Sequence, residues 1–149
     1  MATKTILATP TGSRDIEDPS AISADLELES LPMGSRILNR VDEKGNRVAT
    51  CEYFPVTKGQ IFVQITNLET HLKSSPDGQE QDLGYVEHRD HWGASLAIPK
   101  RMLIDPETAE YLVRQFIDYG VRSDQVHWVE YTQFSDVEAA LPDLFNPPD

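Results

Sequence analysis

The sequence predicts an α+β protein: an antiparallel β-sheet packed with one main helix, over about residues 106–119, and one or two short helices. Three observations carry this expectation. One capped segment has the apolar period of a helix, several short β-branched and aromatic runs are separated by turn residues, and no repeat with a period of about 20 to 50 residues recurs. At 149 residues the chain has the length of one ordinary domain. The reading therefore places a flexible N-terminal lead over residues 1–20 and a single α+β domain over residues 21–149.

The lead rests on composition, since Thr9, Pro10, Thr11, Gly12 and Ser13 are polar or turn-forming. Asp18 as N-cap and Pro19 at the first helical position suit a short helix, whereas Ala24 to Glu29 alternates apolar and acidic residues as an edge strand would. Arg36 to Val41 and Arg47 to Phe54 flank the polar break Asp42 to Asn46, which contains Gly45, and together they read as a β-hairpin. Gln60 to Thr66, β-branched and aromatic, is the best strand candidate in the chain. Residues 73–83 read as a polar loop around the turn Pro76, Asp77 and Gly78. A second strand pair follows in Gly84 to Glu87 and Gly93 to Ile98.

The main helix has the clearest signals. Asp105 is a natural N-cap, Pro106 suits the first turn, Glu107 complements the helix dipole, and Gly120 stands where a left-handed cap belongs. Ala109, Leu112, Val113, Phe116 and Ile117 fall on one apolar face, which is core. Gln125 to Tyr131 reads as a closing strand with Trp128 in the core, and Ser135 to Leu141 as a short last helix stopped by Pro142.

The formal net charge is −12, and its distribution is uneven. Residues 1–14 carry +2, residues 15–30 carry −6, residues 31–104 are neutral and residues 105–149 carry −8. Such a chain is repelled by phosphate backbones and attracted to basic protein surfaces, so direct nucleic-acid binding is disfavoured. The longest apolar runs are only a few residues, such as Ile61 to Val63, so no membrane span is expected, and Met1 to Thr9 lacks the long apolar stretch expected of a secretory signal. The lone Cys51 has no partner for an internal disulfide, which points to a reducing, cytoplasmic setting.

Reactive side chains are densest at Glu87, His88, Arg89, Asp90, His91 and Trp92. His88 and His91 would share a helical face and could anchor a metal, giving a small metalloenzyme as one alternative; on a strand they point to opposite faces. No Gly-x-Ser-x-Gly elbow and no glycine-rich phosphate cradle occurs, so the sequence predicts no cofactor and no enzyme of those classes. A solvated polar turn between two strands is the plainer reading of Glu87 to Trp92, and aromatics such as Trp92 and Tyr131 can be either core or anchors of protein contacts. Two groups qualify as partner-binding candidates: Glu87, Asp90 and Trp92, and Glu130, Tyr131, Asp136 and Glu138.

The stretch Trp92 to Pro99, the helix Pro106 to Ile117, and Tyr119 to Trp128 together resemble the Imm1 family, immunity proteins of bacterial polymorphic toxin systems. The matching pattern is a strand ending in Ile98 and Pro99, a helix with Ala109 and Phe116 on its buried face, then Gly120, a short polar turn, and a strand with Val126 and Trp128. Two places depart from it: Ser123 and Asp124 stand where the family usually has Pro, and residues 100–104 lengthen the approach to the helix. The resemblance implies a small cytoplasmic α+β protein, not an enzyme, that neutralises a cognate toxin such as a deaminase or nuclease by occluding its active site. An acidic inhibitor that mimics nucleic acid against a defence nuclease is the alternative within the binding class.

Overall fold

The computed structural model describes residues 4–9, 12–15, 36–57, 59–78, 84–89, 95–120 and 122–132. The expected short helices near Asp18 and Ser135 and the alternative strand over residues 24–29 lie outside these residues. Among the described residues nine strands run in chain order: β1 (Lys4–Thr9), β2 (Gly12–Asp15), β3 (Arg36–Val41), β4 (Arg47–Thr57), β5 (Gln60–Asn67), β6 (Leu72–Pro76), β7 (Tyr85–Arg89), β8 (Ser95–Pro99) and β9 (Trp128–Tyr131). A 3-10 turn over Lys100–Met102 and the helix α1 (Pro106–Tyr119) lie between β8 and β9. The strands β1 to β6 and β9 form one antiparallel sheet in the order β2-β1-β3-β4-β5-β6-β9, and β7 pairs with β8 as a separate hairpin. The architecture is the expected α+β one.

Both faces of the sheet are covered, and the alternation of side chains along the strands decides what each face holds. Leu38, Cys51, Tyr53, Val63 and Ile65 point to one face, where Ala109, Leu112, Val113 and Phe116 of α1 close over them with no measurable exposure of their own. Phe54, Phe62, Val129 and Tyr131 point to the other, under Ile98, Met102 and Leu103 of the β8 and 3-10 segment. Phe54 and Phe62 are paired across β4 and β5, with ring centroids 5.3 Å apart and planes tilted by 42°.

Helix α1 begins and ends as its local sequence dictates. Asp105 accepts a hydrogen bond from the Thr108 N–H at 2.7 Å, and Gly120, with φ 71°, provides the left-handed cap. The carboxyl end has a second stop that comes from far away in the chain: Arg40 of β3 donates to the Phe116 carbonyl at 3.3 Å and the Ile117 carbonyl at 3.0 Å. The guanidinium thereby supplies positive charge at the negative end of the helix dipole, where α1 has no basic residue of its own. Reciprocal backbone bonds between Ile61 and Ile104, 2.8 and 3.0 Å long, tie the segment preceding α1 to β5.

Three expectations require correction. The N-terminal lead contains two strands, because Lys4–Thr9 finds a partner in β3 and Gly12–Asp15 pairs back onto it. Residues 73–76 of the expected polar loop belong to β6, inside the sheet between β5 and β9. Its polar side chains are satisfied there: the Ser75 and Tyr131 hydroxyls lie 2.6 Å apart, and Ser74 accepts from Arg122. Third, the closing strand starts at Trp128 and not at Gln125, since residues 124–126 turn.

Candidate functional site

The chain leaving α1 builds a polar corner against the last strands. After Gly120, the Ser123 hydroxyl accepts from the Gln125 N–H at 3.1 Å, and the Ser123 carbonyl accepts from the Trp128 indole N–H at 2.6 Å. These bonds fix the turn that returns the chain to β9. Arg122 lies across β6 and β9: it donates to the Ser74 hydroxyl at 2.7 Å, pairs with the Glu130 carboxylate, and sits 6.0 Å from the centre of the Trp128 ring. Beside it a groove of about 500 Å³ opens at the carboxyl end of α1, lined by Val48, Ile65, Leu72 and Ser74, with Arg122 and Glu130 at its rim.

Chemically this corner is suited to holding charged protein groups. Glu130 is exposed, so its remaining lone pairs stay available to an incoming guanidinium or ammonium group. A second hollow, of about 490 Å³, lies at the other end of α1 next to Asp77, Asp105 and His127. Its carboxylates already serve the fold: Asp77 accepts from Arg101 at 3.0 Å and Asp105 caps α1.

Of the two sequence-derived groups, the described residues Glu87 and Glu130 fall on different sides of the sheet. Glu87 is exposed on β7, in the hairpin that covers the face opposite α1, and Glu130 is exposed on the α1 side. Asp90, Trp92, Asp136 and Glu138 lie outside the described residues. Tyr131 is corrected: it is only 2% exposed, and its hydroxyl bonds Ser75 and donates to Gln64 at 3.0 Å. Burial pushes its phenol well above the ordinary range, with the Glu52 carboxylate adding to the rise and the Ser75 bond opposing it. The register explains the placement, because Val129 and Tyr131 share the inward face of β9 while Glu130 takes the other.

Of the metal-site alternative, His88 lies on strand β7 and His91 lies outside the described residues. Among the described residues no group of three or more His, Cys, Asp and Glu side chains could hold a metal ion. Cys51 is fully buried in the core under α1, and that burial, reinforced by Glu52, raises its thiol far above the usual value. No helix among the described residues is long and apolar enough to cross a membrane.

The sequence reading missed the outer face of α1. Tyr111 and Tyr119 are 42% and 65% exposed, and with Glu107 and Gln115 they occupy positions four apart along one ridge. The same periodicity that marks the buried stripe would have found them, had it been read for the opposite side.

No curated protein matches the chain. The family model for Immunity protein Imm1 matches residues 16–130, from just after β2 into β9, and so spans most of the sheet, the hairpin and all of α1. The similarity first visible around α1 thus extends through the fold, and the chain belongs to the Imm1 family of immunity proteins.

Proposed function

We propose that this Imm1 protein binds one cognate toxin domain through an acidic surface and neutralises it by covering a basic active-site cleft. The observation that carries the reading is the placement of charge. From the cap of α1 to β9 the exposed acidic residues are Asp105, Glu107, Asp118, Asp124 and Glu130, against one exposed arginine, Arg122, which pairs with Glu130, and the exposed His127. A toxin that acts on nucleic acid, such as a deaminase or nuclease, needs a positive cleft for phosphates, and an acidic partner is steered into that cleft. Complementary fields raise the encounter rate, and coverage of the cleft excludes substrate without any chemistry by the inhibitor.

The test is affinity capture of the toxin with the tagged protein, followed by stopped-flow association with the inactivated domain so identified, from low to high salt. The association rate is expected to fall steeply with ionic strength while dissociation changes little. Salt-independent association would remove the electrostatic basis of the reading. Comparable binding to several unrelated DNA-binding proteins would replace it with the nucleic-acid-mimic alternative.

A further inference from the structure

We propose that the solvent-facing ridge of α1, Glu107, Tyr111, Gln115 and Tyr119 with the adjacent Asp118, is the surface that seats the toxin's basic face. The inference rests on the reading that the partner is a protein with a basic cleft, and adds where that partner docks.

The first support is the use of tyrosine. Tyr53 and Tyr131 fill the two cores at 1% and 2% exposure; of the three exposed tyrosines, Tyr85 lies on β7 at 59%, whereas Tyr111 and Tyr119, at 42% and 65%, share one helix. Neither belongs to the two core clusters, and tyrosine is a poorer helix former than the Glu, Gln or Lys usual at such positions. At 1.5 Å rise per residue the two positions lie about 12 Å apart along the helix axis, on a ridge about 18 Å long. Tyrosine is among the residues that dominate binding energy in such patches.

The second support is charge, and it selects the occupant. Glu107 and Asp118 flank the tyrosines, both are exposed, and neither has an ionic partner among the described residues. The one base on α1, Arg114, is paired with Glu110 at 2.7 Å. Aromatic rings beside unpaired carboxylates fit a surface of Arg and Lys, whose guanidinium groups stack on tyrosine faces and whose charges meet the acids. The ridge is also held in place, with α1 capped by Asp105 at one end and Arg40 at the other, so docking requires little ordering of the inhibitor.

The experiment compares the wild-type protein, the double variant Tyr111→Ala/Tyr119→Ala, the double variant Glu107→Lys/Asp118→Lys, and Glu87→Lys on the opposite side. Each is titrated against the inactivated toxin domain captured with the tagged wild-type protein, after thermal melts show that it is folded. The tyrosine variant is expected to raise Kd by a factor on the order of 30 or more, mainly through faster dissociation. The charge variant is expected to slow association about tenfold at low salt and far less at high salt. Wild-type binding with both ridge variants unaffected, or with the loss confined to Glu87→Lys, would overturn the ridge and leave the immunity reading standing. Failure of the wild-type protein to bind the toxin would overturn both.

Discussion

Replacing Gly120 by alanine tests how β3 and α1 are coupled. Gly120 has φ 71°, where a Cβ is strained by about 1–2 kcal/mol. An added Cβ would also meet the Arg40 side chain, at 2.5 Å from Nε and 2.6 Å from Cδ. A free arginine would swing aside at little cost, but this one is pinned by its bonds to the Phe116 and Ile117 carbonyls. Displacing it forfeits charge-assisted bonds at the negative end of the helix, worth about 1–2 kcal/mol for a part-buried group. Gly120→Ala should therefore cost about 2–4 kcal/mol in all. In an Arg40→Ala background only the backbone strain remains, so the same substitution should cost about 1–2 kcal/mol. Urea unfolding of the four proteins of this double-mutant cycle gives the coupling directly. A coupling below about 0.5 kcal/mol would show that the arginine and the glycine act independently, and would refute the account of the helix end.

Two further outcomes follow from the buried polar groups. Tyr131→Phe removes the hydroxyl that satisfies Ser75 and Gln64, so it should lower stability by about 1–3 kcal/mol in chemical melts while leaving toxin affinity unchanged; an affinity loss with intact stability would restore Tyr131 as a contact residue. Folding holds the Cys51 thiol and the Tyr131 phenol neutral, with both raised from ordinary values of 9.0 and 10.0. Above those values the unfolded chain has lost protons that the folded chain keeps, so stability falls as pH rises, by up to about 1.4 kcal/mol per pH unit for each group. Unfolding free energies measured from about pH 8 to 11 should show this decline, and Cys51→Ala should flatten its first part; an unchanged slope in that variant would assign the decline to other groups.

The elements legible in the sequence are those whose determinants are local. Helix α1 was marked by Asp105, Pro106 and Gly120 at its ends and by an apolar stripe between them, all within one stretch of chain. The β3 to β4 turn was equally local, with the Asp42 carboxylate accepting from the Lys44 and Asn46 N–H groups at 2.9 Å. Strand β6 was hidden because its determinants lie elsewhere: Ser74 and Ser75 read as loop residues until Arg122 and Tyr131, far along the chain, take up their hydroxyls. The terminal strands were hidden likewise, since Lys4–Thr9 depends on pairing with β3 and carries no strong apolar alternation. In the candidate site, the acidity was visible in composition, but Tyr131 was misplaced because its short strand gives too few residues to fix which face is inward.

The geometry of α1 separates what folds the protein from what it offers a partner. Ala109, Leu112, Val113 and Phe116 bury the inner stripe, whereas Glu107, Tyr111, Gln115 and Tyr119 share no position with it. A helix of 14 residues with both ends anchored can change its outer ridge without disturbing the core beneath. On β9 the two roles alternate at every residue, with Val129 and Tyr131 inward and Glu130 outward, and Glu130 is already engaged by Arg122. A surface that must match one toxin and reject others is easier to vary on the helix than on that strand, because specificity requires changing side chains without changing the fold. The recognition surface proposed for α1 is therefore one whose side chains can vary while the core beneath stays unchanged.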